Sequence, residues 1–365
     1  MKKLLLRWLV LVVCWGWATH VAACAICAPS DLENTLSQRL FAADVVVLAT
    51  PTLDGVGYRA EEAIKGELPK GVIRLHETVI APPTAPSKGS ELLLYSAGSQ
   101  TWRTVGALKT GRADWVKRLL ALGPVSALNA SAVTAAWLPR LSFLVADLES
   151  SEPLVAQTAY EEISLAPYAA MRPLQPHLDA HKLVRWLDIP SLAARRPLYA
   201  LLLGIAGGQG TADALETRLL AGSQWQTTAE LSGLFAAYLE LRGADGVGWL
   251  ERHYLADSRR SELEIQAAIL ALSVHGNGGG VRVGKDRVVQ AYAVLIQHNK
   301  ARAGFVASDL GNWGRWEFGM DYAALLKSRE PQAFASRYAM VLFLMRSPAP
   351  EARAALDALR AGGFI

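Results

Sequence analysis

Between residues 44 and 107 the chain alternates short apolar runs with turn residues. Five runs are rich in β-branched or aromatic residues and are separated by Gly, Pro or Asp: 44–50, 57–64, 72–78, 91–96 and 102–107. Short runs between turn signals are typical of strands. Five strands in so short a stretch favour a small β-barrel. Apolar residues at helical spacing predict a helix on either side of it, over 30–43 and 114–122.

From residue 131 onward the strand patterns stop, and Ala- and Leu-rich segments with helical spacing follow. Three windows align with one another and each ends in Gly: 199–207, 235–243 and 268–276. Leu203, Leu239 and Leu272 occupy one column of this alignment, and 215–220 matches 250–255 at a similar offset. Helix pairs that repeat at this length, each closed by a Gly cap, stack into a solenoid. The period resembles that of HEAT repeats; a helical bundle without repeats is the alternative.

Residues 1–23 are predicted to be a signal peptide. Two lysines precede an apolar run over 4–17, and small residues at 21–23 form a cleavage position. The run is shorter than the roughly 20 residues that a membrane-spanning helix needs, and an arginine interrupts it, which disfavours an uncleaved anchor. The sequence Val-Ala-Ala-Cys ending at Cys24 also resembles a bacterial lipoprotein box, in which the cysteine is lipidated. The chain is therefore predicted to be exported, either to the periplasm or as a membrane-anchored lipoprotein facing it.

The charge balance changes once this segment is set aside. The whole chain has 37 Lys and Arg against 33 Asp and Glu, a formal net charge of +4. Lys2, Lys3 and Arg7 lie within 1–23, which contains no acid, so the remainder carries only +1. A nearly neutral chain disfavours nucleic-acid binding through a broad basic face. With 52% apolar residues, the chain is predicted to be folded rather than disordered.

Cys24 and Cys27 form a Cys-x-x-Cys pair in what is predicted to be an oxidising compartment. A disulfide between them, lipidation of Cys24 and a redox-active thiol pair are open alternatives. A capping box at 30–33 would begin a helix just after the pair, and a helix N-terminus stabilises a thiolate. A haem attachment is excluded because Ala28, and not histidine, follows Cys27. A zinc site is disfavoured because the mature chain has no further cysteine.

Four short motifs follow one another in the N-terminal part. They are the cysteine pair, Phe-Ala-Ala-Asp-Val-Val-Val at 41–47, Lys65-Gly66, and Lys-Gly-Ser-Glu-Leu-Leu-Leu-Tyr at 88–95. On these motifs, the part from residue 24 to about residue 110 resembles the netrin and tissue-inhibitor-of-metalloproteinases module. The resemblance implies an OB-type barrel, and inhibition of a peptidase whose zinc is chelated by the free amine and carbonyl of Cys24. The chain departs from that family in its Cys-x-x-Cys spacing and in lacking distant cysteine partners.

With this resemblance, the expected fold is multi-domain: a small OB-like β-barrel followed by an all-α, HEAT-like helical-repeat solenoid. The barrel domain with its flanking helices is predicted over 24–123, and the helical-repeat domain over 131–365. A joint containing Gly, Pro, Ser and Asn at 123–130 separates them. The second domain, at about 235 residues, has room for roughly six helix pairs. As a whole, the chain resembles uncharacterised bacterial exported proteins.

The most unusual polar and aromatic cluster is Asn-Trp-Gly-Arg-Trp at 312–316. Trp313, Arg315 and Trp316 form a candidate binding patch, because two indole rings beside a guanidinium can stack on a peptide or a sugar. The alternative is that the two rings pack between helical repeats.

Other polar residues give weaker signals. Glu161 and Glu162 are predicted to lie on a solvated helix face, with a paired-carboxylate acid–base site as the alternative. His177 and His181 have a spacing that suits metal binding, but no Glu completes a His-Glu-x-x-His motif between them. The Gly-rich segment 275–280 follows a helix and not a strand, so it is predicted to be a loop between repeats.

These observations predict a non-enzymatic envelope protein that binds another envelope protein, as a scaffold or adaptor. No catalytic constellation is recognised in the sequence, and neither a cofactor nor a metal is expected. The membrane is expected to be a partner only through a lipid anchor on Cys24, and nucleic acid is not expected to bind. The alternatives are a thiol-disulfide redox protein that uses Cys24 and Cys27, and a netrin-like peptidase inhibitor.

Overall fold

The computed structural model describes residues 26–27, 34–75, 89–124, 134–221, 227–278, 281–328 and 332–365. Two compact units divide the described chain between Ala170 and Met171. The predicted signal peptide, 1–23, and most of the predicted joint, 123–130, lie outside the described residues. The first unit continues past that joint to Ala170, so the helices that follow the joint directly group with the β-sheet and not with the later helices.

Within the described residues, the first unit contains a five-stranded antiparallel sheet. Its strands are β1 (Val45–Pro51), β2 (Tyr58–Lys65), β3 (Val72–Ile73), β4 (Gly89–Ser96) and β5 (Thr101–Lys109). They lie in the order β3-β2-β1-β4-β5, so β4 returns beside β1 after three consecutive strands, which is a Greek key. The sheet curls into a half-barrel. Four of the five predicted strands are confirmed over most of their length. Of the third run, predicted over 72–78, only Val72–Ile73 is a strand and 76–78 lies outside the described residues. β3 and β5 are the two edges of the sheet.

Helices precede and follow this sheet along the chain. They are α1 (Leu36–Ala42), α2 (Ala113–Ala121), α3 (Thr134–Leu144), α4 (Pro153–Ser164) and α5 (Tyr168–Met171). The central strand β1 is buried on both faces, since successive side chains point to opposite sides of a strand and all of 46–49 are covered. Val47 joins Ile73 and Leu93 in one apolar cluster. α1 packs against β4 and α2 against β2. Double coverage explains why β1 is a continuous apolar run.

The Lys65-Gly66 motif connects β2 to the end of α1. Lys65 Nζ donates hydrogen bonds to the carbonyl oxygens of Phe41 (2.7 Å) and Ala43 (2.5 Å), which lie at the C-terminus of α1. Gly66 has φ +75°, and a Cβ there would lie 2.9 Å from the carbonyl oxygen of Asp44. Lysine and glycine are therefore both required locally. α1 itself begins after Thr35, in a capping box with Gln38, whereas the capping box predicted at 30–33 lies outside the described residues.

A buried ion pair joins four segments of the first unit. Arg140 on α3 and Glu162 on α4 have side chains that are 1% and 0% exposed, and Arg140 Nη1 donates to Glu162 Oε2. Arg140 Nη2 also donates to the carbonyl oxygens of Leu122 (3.1 Å) and Gly123 (2.5 Å), just after α2. Glu162 Oε1 accepts from the backbone N–H of Ser37 in α1 at 3.1 Å. The pair therefore ties α1, the end of α2, α3 and α4 together.

The burial of Glu162 shows that the prediction of a solvated face for both neighbouring carboxylates was wrong. Glu161 does reach the surface, where it accepts a hydrogen bond from Gln157 Nε2 at 2.8 Å. Glu162 belongs instead to the buried face of α4, together with Ala159 and Ile163. The helical pattern placed it at the edge of the apolar face. Its counter-charge comes from another helix, which the local pattern does not reveal.

Glu162→Gln would leave Arg140 buried without a counter-charge. We expect this variant to lower the free energy of unfolding by about 3–5 kcal/mol, because an uncompensated buried charge is strongly destabilising. Glu161→Gln, at the neighbouring position, should change it by less than about 0.5 kcal/mol. Replacing both partners by apolar residues, Arg140→Met with Glu162→Leu, should recover a large part of the loss. Urea unfolding followed by circular dichroism measures all three variants; equal effects of the two glutamine variants would refute the role given to the pair.

The second unit is helical within the described residues. Its helices are α6 (Ala180–Asp188), α7 (Arg196–Ala206), α8 (Gln209–Leu220), α9 (Thr228–Arg242), α10 (Ala244–Leu250), α11 (Glu262–Asn277), α12 (Lys285–His298), α13 (Ala307–Asn312), α14 (Gly319–Lys327), α15 (Phe334–Arg346) and α16 (Pro350–Ala361). Segments of 3₁₀ helix lie at Arg172–His177, Pro190–Arg195, Lys300–Val306 and Trp316–Phe318. α9 packs against both α7 and α11. None of the helices in these described stretches has the length and apolar character needed to cross a membrane.

The aligned windows correspond to α7, α9 and α11. Leu203, Leu239 and Leu272, which share one column, are each at most 1% exposed. Gly207 and Gly243 are the C-caps of α7 and α9, as predicted. The internal alignment therefore identifies helices that occupy equivalent places in a row.

The third glycine of the alignment differs. Gly276 lies inside α11, which continues to Asn277 and is capped by Gly278, so its predicted role as a cap was wrong. A Cβ at position 276 would lie 2.6 Å from Cη2 of Trp313. Glycine is required here for close packing of an aromatic ring.

The match between 215–220 and 250–255 also shifts by one residue. Leu215 and Leu250 are both buried, but Leu220 is 56% exposed whereas Leu255 is 0% exposed. A π-helical turn at Glu251–Leu255 continues α10 directly. Such a turn contains one residue more than an α-helical turn, and this difference accounts for the shift.

Small residues let α7 and α9 approach closely. A Cβ on Gly204 would lie 2.7 Å from Cα of Ala237, and a Cβ on Gly233 would lie 2.9 Å from the carbonyl oxygen of Pro197. From Pro197 to Gly204 along α7, the facing position on α9 moves from Gly233 to Ala237. Residue numbers therefore increase in the same direction on both helices, so α7 and α9 are parallel. Backbones at this distance exclude larger side chains at the contact.

Candidate functional site

An open groove of about 340 Å³ lies where α7 and α9 end. Because the two helices are parallel, their C-terminal ends and the turns that follow open on the same edge of the second unit. We call this cavity the α7–α9 groove. Its polar lining side chains are those of Arg172, Gln175, Gln209, Glu240 and Arg282.

A bidentate ion pair forms one wall of the groove. Arg172 Nε and Nη2 donate to Glu240 Oε1 and Oε2 at 3.2 and 3.1 Å. Arg172 Nη1 donates to the carbonyl oxygen of Gly278 at 3.0 Å. The two side chains are 15% and 8% exposed. Paired bonds of this kind fix both groups in orientation, so the wall is rigid and nearly neutral.

His275 lies behind this pair and is fully buried. Its Nε2 is 2.9 Å from the carbonyl oxygen of Ala236, which can only accept, so Nε2 carries the proton. Nδ1 lies 3.8 Å from Glu240 Oε2. Burial lowers the pKa of His275 below its ordinary value of 6.5. The imidazole is therefore neutral near pH 7.

Two polar side chains of the groove lining are not engaged, and a third is. Within the part of the chain that the structure describes, the side chains of Gln175 and Arg282 make no hydrogen bond or ion pair, and both are exposed. Gln209 Oε1 accepts from Arg242 Nη1 at 3.0 Å. Since Arg172 is matched by Glu240, the lining has one uncompensated positive charge, on Arg282. It attracts a carboxylate.

Gly208 forms part of the lining between α7 and α8. Its φ of −130° and ψ of −163° are extended values that any residue adopts. A Cβ at this position would meet nothing within 4 Å. A larger side chain at 208 would therefore fit beside the groove lining without straining the backbone.

A second groove, of about 370 Å³, lies beside α11 and α13. Its polar lining residues are Thr228, Gln266, Ser273 and Asp309. Burial raises the pKa of Asp309, whose Oδ2 accepts from the hydroxyl of Tyr292 at 2.7 Å. This carboxyl is therefore already hydrogen-bonded to a buried neighbour. The α7–α9 groove, in contrast, has a charged side chain that is available to a ligand, that of Arg282.

The predicted patch of Trp313, Arg315 and Trp316 is half-buried. The ring of Trp313 stacks on Tyr292, with centroids 5.8 Å apart and planes 4° apart, and Trp316 lies 5.0 Å from Phe343 on α15. The two indole rings thus pack on different neighbouring helices. This geometry matches the alternative interpretation, packing between repeats, and a binding role stays a prediction.

Arg315 lies between the two indole rings in the sequence and is held by carboxylates. Its Nη1 donates to Asp286 at 2.6 Å, and its Nε donates to Glu317 at 2.7 Å. Its charge is therefore already balanced within the second unit.

Of the other predicted site residues, Cys27, His177 and His181 lie within the described chain. Cys27 is buried and groups with the second unit, whereas Cys24 lies outside the described residues. His177 ends a 3₁₀ segment and His181 belongs to α6, with the extended residues 178 and 179 between them. The helical spacing assumed for these two histidines was wrong.

No family model, curated protein or solved structure matches this chain. The groove was also not recognised in the sequence, because Arg172 and Glu240 are 68 residues apart. One local signal was present: Glu240 is the only acid in the otherwise largely apolar window 235–243. An acid within a buried helical pattern indicates a partner that sequence order conceals.

The buried neutral state of His275 predicts a pH dependence of stability. Its folded-state pKa lies below its unfolded value, so below about pH 6.5 the unfolded chain takes up a proton that the folded chain does not. The free energy of unfolding should therefore fall as the pH is lowered, by up to about 1.4 kcal/mol per pH unit for this group. Urea unfolding at several pH values measures it.

His275→Gln removes the titrating group and should show a weaker decline than the wild type. His298→Gln, at an exposed histidine, should follow the wild type. Parallel declines in all three proteins would contradict the assignment.

Proposed function

We propose that this chain is an exported protein-binding scaffold whose α7–α9 groove takes an extended, acidic segment of another envelope protein. The proposal depends on one observation: the guanidinium of Arg282 has no counter-charge in a groove whose other two charges, on Arg172 and Glu240, are paired. A carboxylate that binds Arg282 gains a charge-assisted hydrogen bond. Export is inferred from the signal-like segment 1–23.

The remaining lining suits a polypeptide backbone. The amides of Gln175 and Gln209 offer both donors and acceptors, which match the alternating N–H and C=O groups of an extended chain. Gly208 leaves room for close approach of that backbone. The rigid Arg172–Glu240 wall lowers the entropic cost of binding, since it is ordered before the ligand arrives.

The two architectures support the same proposal. We infer an OB-like barrel for the first unit from the Greek-key order of five curled antiparallel strands. We infer HEAT-like stacking for the second unit from the parallel packing of α7 and α9 and from the packing of α9 against α11. Solenoids of stacked helix pairs typically bind partners along extended surfaces.

Arg282→Ala and Gly208→Leu test the groove. The probe is a fluorescein-labelled library of short acidic peptides, measured by fluorescence anisotropy against the full chain, with the same peptides carrying Gln for Glu as a second set. We expect the acidic set to bind better than the Gln set. Arg282→Ala should weaken that binding at least about tenfold, the equivalent of one lost charge-assisted contact. Gly208→Leu should weaken it to a similar extent, because the added side chain occupies space next to the peptide backbone.

Arg185→Ala is the matched control, since Arg185 is also exposed and lies on α6, outside the groove lining. It should bind the acidic peptides like the wild type. Thermal unfolding midpoints should be unchanged in all three variants. Equal binding of acidic and Gln peptides, or insensitivity to both groove variants, would refute the proposal.

Export makes a separate prediction about the N-terminus. Intact mass spectrometry of the protein from native membranes should show a chain that begins at Cys24. A diacylglyceryl mass shift would identify a lipoprotein, and a loss of two hydrogens would identify the Cys24–Cys27 disulfide. A mass that includes residues 1–23 would contradict export by cleavage. Cys24→Ser, which removes both modifications, is the reference for the mass shifts.

A further inference from the structure

α15 has two apolar faces on opposite sides. The inner face consists of Ser336, Met340, Phe343 and Leu344, which are buried against Lys300–Val306, α13 and their neighbours. At 100° per residue, a second set of residues lies on the opposite side of the helix. That set is Phe334, Tyr338, Val341, Leu342 and Met345, of which Phe334 is 85% exposed and Tyr338 and Met345 are each 57% exposed. We call this set the α15 outer stripe.

The α15 outer stripe has the spacing of a helix–helix seam. Phe334, Tyr338, Val341 and Met345 are separated by four, three and four residues, which is the alternation of a and d positions in a heptad. The stripe is about 17 Å long at the rise of an α-helix. The rings of Phe334 and Tyr338 already stack, at 6.5 Å between centroids. A second helix can insert its own side chains into such a row.

The position of α15 near the C-terminal end of the second unit also indicates that the α15 outer stripe is a contact surface. Terminal repeats of helical arrays need a polar outer face to stay soluble, because that face has no next repeat. α16 meets this requirement, since its exposed residues include Glu351, Arg353 and Asp357. α15 does not, since its largest side chains on the outer stripe remain exposed.

Charge decides which kind of helix fits. Arg337 and Arg346 flank the stripe on its two sides, and α15 contains no acid. Arg337 donates to the carbonyl oxygens of Leu326 and Phe364, and Arg346 donates to Asn312 Oδ1 at 2.9 Å. Neither arginine contacts a carboxylate within the described residues. A second copy of this stripe would oppose arginine with arginine, which disfavours self-association.

We infer that the α15 outer stripe docks an amphipathic helix of another protein whose apolar seam is flanked by carboxylates. The seam of the partner covers Phe334, Tyr338, Val341 and Met345, and its carboxylates pair with Arg337 and Arg346. This inference extends the proposed binding function to a second surface and does not require the α7–α9 groove to be occupied.

The test uses two designed helical peptides of about three heptads. Both have Leu at a and d; one has Glu at e and g, and the other has Lys. Fluorescence anisotropy against the full chain should show binding of the Glu peptide, with the Lys peptide at least about tenfold weaker because like charges oppose. Arg346→Glu should narrow this difference by weakening the Glu peptide and strengthening the Lys peptide.

Tyr338→Glu should weaken the Glu peptide more than about tenfold, because it places a charge at the centre of the seam. Leu220→Glu, at an exposed leucine on α8, is the matched control and should bind like the wild type. Arg282→Ala and Gly208→Leu should also leave this binding unchanged, which separates it from the groove. Equal unfolding midpoints confirm that the variants remain folded.

Three results would overturn the inference. The first is equal binding, or no binding, of the Glu and Lys peptides. The second is Glu-peptide binding that Tyr338→Glu does not alter. The third is a concentration-dependent dimer in sedimentation that Tyr338→Glu abolishes, since the occupant would then be a second copy of this chain.

Discussion

Buried charges that must be paired organise both units of this protein. In the first unit, Arg140 and Glu162 are almost completely removed from water, and Glu162 Oε1 and Arg140 Nη2 bind backbone groups of α1 and of the end of α2. In the second, Arg172 and Glu240 bind each other in bidentate fashion beside a neutral His275. A charge in an apolar interior is tolerated only with such a partner. Each pair therefore fixes the relative positions of the helices that carry it.

Close helix packing has a direct consequence for the groove. Gly204 and Gly233 allow α7 and α9 to lie parallel at backbone contact. Parallel helices of similar length end at the same edge, so the turns after α7 and α9 and the Arg172–Glu240 pair face one cavity. The groove therefore forms because α7 and α9 lie side by side in the same direction. The exposed stripe of α15 has a related origin, because a row of helices leaves an outer face where it ends.

The strands were predictable because each is a local apolar run bounded by turn residues, and β1 even showed its burial on both faces by lacking alternation. The repeat was predictable as a column of leucines. Two details of the repeat were not predictable. Gly276 is needed for close packing of the Trp313 ring and not as a cap, and the π turn at Glu251–Leu255 shifts the alignment of buried positions by one residue. The α7–α9 groove escaped prediction because its residues come from four separate segments. The Trp313 and Trp316 rings, which are three residues apart in the sequence, pack instead on different helices.

The sequence by itself determined which segments are strands and which are helices, where the β-rich part gives way to the helical part, and which leucines are buried in the row. These properties depend on hydrophobic periodicity, which acts over a few neighbouring residues. Only the tertiary structure decided the partner of Glu162, the neutral state of His275, the free charge of Arg282 and the exposed face of α15. Each of these depends on which distant segments meet, and desolvation and charge pairing act through space rather than along the chain.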